Sequence, residues 1–150
     1  MAKFIFGRDA EMAAWAAKQL PWAQAPDSFG PCQAWGIERD GKIFGALIFN
    51  HHHPEIGDIE WNVVVPDGTW MTRELLETIF DYVFNQLECV RMSLTLPKGA
   101  KKNRAVAEKL GFIMEGTKRK GFPGGSNAIL YGLLKEDCKW LKPDPRKAAA

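Results

Sequence analysis

The stretch DIEWNVVVPDGTWMTRELLETIFDYVFNQLECVRMSLTL, from Asp58 to Leu96, changes period twice, and those changes decide the fold. Asp58 to Val65 reads as a β-strand, and Pro66-Asp67-Gly68 carries turn chemistry. Leu75, Leu76, Ile79, Phe80, Val83, Phe84 and Leu87 then recur at helical spacing, which predicts an amphipathic helix from Thr69 to Leu87. Arg91 to Leu96 returns to a strand. Two strands joined by such a helix pair in parallel if they share a sheet, through a right-handed crossover.

Upstream, Lys3 to Phe6 is a short apolar strand, and Asp9 caps a helix with Met12, Trp15, Ala16 and Leu20 on one side. After a Pro- and Gly-rich connection from Pro21 to Pro31, Cys32–Arg39 and Lys42–Asn50 form a hairpin. Asp40-Gly41 between them accepts the positive φ angles of a tight turn. Downstream, Lys101–Leu110 is a helix with Gly111 at its C′ position. Strands Phe112–Gly121 and Ser126–Leu134 come next, and a closing helical turn covers Lys135–Trp140. The order β-α-β-β-β-α-β-α-β-β combines hairpins with crossovers, so the fold class is α/β (α+β) with a mixed sheet. Residues 1–140 are read as one domain and 141–150, with two prolines and three terminal alanines, as a flexible tail.

At 150 residues, 46% hydrophobic and 25% charged, the composition is that of a globular domain with its own core. A net charge of +2 is too mild to demand nucleic acid or an anionic membrane as partner. No apolar run approaches the roughly 20 residues of a membrane span, and no leader pattern opens the sequence, so a cytoplasmic protein is expected. The cysteines at 32, 89 and 138 are odd in number and lack a CxxC pair, which predicts free thiols and no metal site. His51, His52 and His53 are adjacent and alternate in direction on an extended chain, so they read as a polar strand end.

Lys109-Leu-Gly-Phe-Ile-Met-Glu-Gly-Thr-Lys-Arg119 resembles the closing "KLGF..EG..R" motif of the GNAT superfamily of N-acetyltransferases. Glu74 to Phe84, with Val90-Arg91, is similar to that family's long helix and following strand. The resemblance covers about Ile43 to Trp140 and is greatest to the ribosomal-protein alanine acetyltransferase branch, with a likeness also to short, divergent phage-type members. It implies a mainly antiparallel sheet in which the strands at Asp58–Val65 and Arg91–Leu96 splay apart, and acetyl-coenzyme A as co-substrate. The pantetheine arm would lie along Val63, Val64 and Val65. The pyrophosphate would meet the loop at Gly68, Thr69, Trp70, Thr72 and Arg73, where backbone amides and a helix start favour anions. Trp70 stands where the family has a second glycine, and its indole, flanked by the small polar Thr69 and Thr72, is expected to rotate outward and leave those amides open. Asn103 lies one turn beyond the family's cofactor-contacting asparagine, where it could equally cap the helix.

For chemistry, Asp58 matches the family's acidic strand position, and Glu60 shares its face two residues on while Trp61 points away. A carboxylate there can accept the ammonium proton of an amine acceptor. Ala107 replaces the family's proton-donating tyrosine, and Tyr131 is the candidate substitute. Three functions are open to such a chain. The first is acetyl transfer to a primary amine, on a protein or a small molecule, by direct attack, by a monomer or homodimer. The second is an inactive binding module with an occluded coenzyme site. The third reads Lys98, Lys101, Lys102, Arg104, Lys118, Arg119 and Lys120 as a phosphate-binding patch for nucleic acid, which no interleaved aromatics support.

Overall fold

The computed structural model describes residues 1–23, 25–144 and 146. The chain divides into two compact units, residues 1–52 with 60–72, and residues 53–59 with 73–150. Among the described residues, seven strands take the order β1-β2-β3-β4-β5-β7-β6, mostly antiparallel with one parallel pair, as a mixed fold requires.

In the first unit, β1 (Lys3–Ile5) pairs with β2 (Cys32–Arg39), and β2 with β3 (Lys42–His53), all antiparallel. Asp40 and Gly41 both take positive φ, 53° and 76°, the conformation that a two-residue hairpin of this hand needs. Strand β3 runs to His53, three residues past the expected end. Helix α1 (Asp9–Lys18) lays Met12, Ala13, Ala16 and Ala17 against Ala34, Ala46 and Ile48. Asp9 does not cap this helix. Arg8 holds the N-cap position, and the Asp9 carboxylate instead accepts from the Ala34 amide at 3.0 Å, tying the helix start to β2. Strand β4 (Asp58–Val64) begins in the second unit and ends in the first.

In the second unit, α2 occupies only Arg73–Phe80, and the expected single helix continues as a π-helical stretch over Asp81–Gln86. There the Leu87 amide donates five residues back, to the Tyr82 carbonyl, at 2.9 Å. A turn widened in this way rotates the residues around it: Asn85 becomes buried and Leu87 leaves the apolar stripe for a half-buried position. Strand β5 (Arg91–Pro97) pairs with β7 (Ala128–Leu134), and β7 with β6 (Ile113–Lys118), so the last two strands are shorter than their sequence segments. Helix α3 (Lys101–Leu110) has its expected bounds, and Gly111 closes it at φ 110°. A short 3-10 turn covers Lys135–Asp137.

The segment 141–150 makes bonds where it is described. Lys142 pairs with Glu77 at 2.9 Å, Asn85 Nδ2 donates to the Lys142 carbonyl at 3.3 Å, and Arg146 Nη2 donates to the Asn85 carbonyl at 2.6 Å. Residues 145 and 147–150 lie outside the described residues.

Candidate functional site

Strand β4 carries the polar row. Ile59 and Trp61 are buried, and Asp58, Glu60 and Asn62 alternate with them as half-buried polar groups on the opposite side. Half-burying such a row costs free energy unless each member is partnered, and each is. Ser93 Oγ on β5 donates to Asp58 Oδ1 at 2.6 Å, and Arg91 Nε lies 3.4 Å from the same oxygen. Arg91 Nη2 donates to Glu115 Oε1 at 2.5 Å. That bond, with the charges of Glu115 and Asp58 behind it, raises the already high pKa of the guanidinium against the opposing effect of burial. Glu115 sits at the bulge between Met114 and Gly116 and crosses over Gly132, where an added Cβ would lie 2.4 Å from its Oε2. Glycine at 132 therefore leaves the carboxylate room to reach Arg91.

In the first unit, Glu60 bonds the imidazole of His51, and Asn62 Nδ2 donates to Asn50 Oδ1 at 2.9 Å. Asn50 Nδ2 in turn donates to the Phe29 carbonyl at 3.1 Å. The two carboxylates read from the sequence thus lie on one side of β4 as expected, but each is bound to its own cation or imidazole partner.

The loop after β4 departs furthest from expectation. Trp70 is fully buried, 6.3 Å from the Phe4 ring, so the indole points inward and the outward rotation is corrected. The hydrophobic effect decides this, because an indole is too large an apolar body to leave in water when a neighbouring strand offers an aromatic partner. The Asp67 carboxylate accepts from the Thr69 amide at 2.8 Å and from the Thr69 hydroxyl, and the Met71 amide donates to the Gly68 carbonyl at 3.1 Å. Those bonds, hydroxyl first and amide second, hold the Asp67 carboxyl below its ordinary pKa. Arg39 Nη2 donates to Thr69 Oγ1 at 2.7 Å. Two of the loop's amides are therefore engaged within the loop, one of them by its own carboxylate.

Among the other candidates, Val63, Val64 and Val65 are half-buried, and Val65 leans on Gly45, where a Cβ would lie 2.2 Å from its Cγ1. Gly68 is exposed, and Arg73 pairs with Glu77 at 3.2 Å while its guanidinium lies 5.4 Å from the Trp140 ring. Asn103 is exposed in the first turn of α3, whose start has no side-chain cap, so the capping role is not taken up. Tyr131 is buried, and its Oη accepts from Arg104 Nε at 2.9 Å while Arg104 Nη1 donates to the Lys98 carbonyl at 2.9 Å.

Sequence reasoning missed His51, Arg91, Ser93, Arg104 and Glu115 as partners of the candidate groups. For Arg91 and Ser93 a signal existed, since they alternate with Met92 and Leu94 and so share the polar side of β5. No helix among the described residues is long and apolar enough to cross a membrane.

No family model matches the chain. The "Putative ribosomal N-acetyltransferase YdaF" of Bacillus subtilis (strain 168) is 28% identical over 110 residues, 68% of this chain and 59% of the relative, so the chain spans less than two thirds of that protein's length. Mutant forms of the spermidine/spermine N-acetyltransferase SpeG from Vibrio cholerae superpose with a TM-score of 0.74 at 12% identity, covering 91% of this chain and 96% of theirs. A putative acetyltransferase from T. thermophilus superposes with a TM-score of 0.68 at 17% identity, covering 91% of this chain and 87% of that one. Strand order, helix placement and these likenesses together give the chain the fold of the GNAT acetyltransferase superfamily.

Proposed function

We propose that the protein transfers an acetyl group from acetyl-coenzyme A to a primary amine by direct attack. The observation that carries this reading is the row Asp58, Glu60 and Asn62 on β4, half-buried, polar and fully partnered in a fold whose relatives are named as N-acetyltransferases. A row of that kind contributes little to a core and is suited to receiving a cationic amine and its proton. The names of the relatives point to amines on a ribosomal protein or on a polyamine as the acceptor class.

In this reading the amides of Val63, Val64 and Val65 polarise the thioester carbonyl. Asp58 and Glu60 favour the cationic acceptor, and Tyr131 protonates the departing thiolate. Arg104 can only donate, so the Tyr131 oxygen accepts from it and the phenolic proton stays available for transfer. Gly68, Thr69, Thr72, Arg73 and Asn103 contact the coenzyme, and the Thr69 amide becomes available to a phosphate when the Asp67 carboxylate swings away.

A second reading, a binding module without chemistry, is favoured by the inward Trp70 and by Asp67 holding the Thr69 amide. Calorimetric titration of acetyl-coenzyme A separates the two, followed by thiol release with spermidine, lysine peptides and peptides with a free N-terminus. Binding with thiol release on any of these amines supports the transferase; absence of both sinks it.

A further inference from the structure

Asn50 and His51 are consecutive residues of β3, and consecutive side chains of an extended strand point to opposite faces. Here both reach the same side of β4, since Asn50 bonds Asn62 and His51 bonds Glu60, and Glu60 and Asn62 are two residues apart on that strand. The irregularity has a visible origin: His51 adopts φ 49°, the left-handed region, which a non-glycine residue enters only at a cost in strain. That local turn swings the imidazole beside Glu60.

Stability does not explain the strain. The His51 side chain is 65% exposed and Glu60 21%, and an ion pair so open to water contributes little to folding. What the turn achieves is a carboxylate bound to Nδ1 of an imidazole on the polar side of β4, with most of the ring facing solvent. A carboxylate behind Nδ1 orients the imidazole and leaves Nε2 to take a proton. The titratable groups around it are Glu60 on β4, Cys32 opposite Asn50 on β2, and His52 and the His53–Glu55 pair on its own hairpin.

We infer that His51 is the proton acceptor for the acceptor amine, with Glu60 as its positioning residue. The inference rests on the acetyl-transfer reading above and assigns its base. The ammonium form of the acceptor gives one proton to His51 Nε2. The freed amine nitrogen attacks the thioester carbonyl carbon, forming the C–N bond as the C–S bond breaks. Tyr131 gives its phenolic proton to the departing thiolate, the second proton of the nitrogen restores the phenol, and exposed His51 releases the first proton to water.

Thiol release is measured from pH 5.5 to 9 for wild type, His51→Asn, Glu60→Gln and the neighbour control His52→Asn, with acetyl-coenzyme A affinity and thermal melting recorded for each. Asparagine tolerates positive φ, so His51→Asn keeps the backbone and removes only the imidazole. The expected results are a loss of about 100-fold in kcat for His51→Asn and about 10-fold for Glu60→Gln, both with unchanged coenzyme affinity. The acidic limb of the wild-type pH profile should vanish in His51→Asn, added free imidazole should restore part of its rate, and His52→Asn should keep the full rate. An active wild type with His51→Asn within about threefold of it, or with an unaltered acidic limb, overturns this assignment alone. A wild type inactive on every amine overturns the acetyl-transfer reading and this assignment with it.

Discussion

Replacing Trp70 with alanine removes the whole indole from a site with no solvent exposure, beside the Phe4 ring. Truncating a buried tryptophan loses its transfer free energy and leaves a cavity, together about 3–5 kcal/mol. At 150 residues that corresponds to a fall in Tm of roughly 6–20 °C. Trp70→Phe should behave differently, because Trp70 Nε1 has no hydrogen-bond partner among the described residues. An unsatisfied buried donor costs about 1–3 kcal/mol, and phenylalanine removes that donor while keeping most of the ring. The two terms oppose each other, so Trp70→Phe should change stability by about 1 kcal/mol or less. Urea unfolding followed by far-UV circular dichroism, with equal m-values required for comparison, measures both variants. If Trp70→Ala costs less than about 1 kcal/mol, or Trp70→Phe costs as much as Trp70→Ala, the indole is not packed as described and the inward loop is wrong.

Gly45→Ala should destabilise by about 1–3 kcal/mol, because its Cβ would meet Val65 Cγ1 at 2.2 Å and the Val64 carbonyl at 3.0 Å. Gly132→Ala meets only the movable ends of Glu115 and Arg91 and should cost clearly less; equal losses by chemical unfolding would refute the contrast. Asp67→Ala frees the Thr69 amide and should tighten acetyl-coenzyme A binding by calorimetry, and weaker binding would mean that the loop is no phosphate site. Burial, with the Asp58 charge behind it, pushes the Cys89 thiol from 9.0 up to about 11, so the folded chain keeps a proton that the unfolded chain gives up. Stability should therefore fall as pH rises from about 9 toward 11, and Cys89→Ala should flatten that fall in a series of melts.

Much of the fold was legible because it is written in local periods. The Asp40-Gly41 turn, the bounds of α3 and the role of Gly111 depend on residues within one turn of each other. Trp70 was misread because its burial depends on Phe4, 66 residues earlier, and nothing in the flanking Thr69 and Thr72 reports that partner. Asp58 was read from the family resemblance and Glu60 from it by alternation, whereas His51 was read as a bland strand end, because its approach to Glu60 depends on one φ angle that no hydrophobic pattern encodes. Asn85 shows the same limit: an apolar stripe at regular helical spacing predicts Leu87 inside, and the widened turn exchanges it for an asparagine.

That widened turn also bears on how this helix can change over time. A hydrogen bond reaching five residues back accommodates one more residue per turn than the α-helical ladder, so it absorbs a single-codon insertion without displacing either end of the segment. The converse is that deleting one residue between Asp81 and Gln86 would restore a regular helix and turn Asn85 off its bonds to Asp81 and the Lys142 carbonyl. A chain shortened in this way should therefore need an apolar side chain at the inward position and a different anchorage for the Lys142 carbonyl.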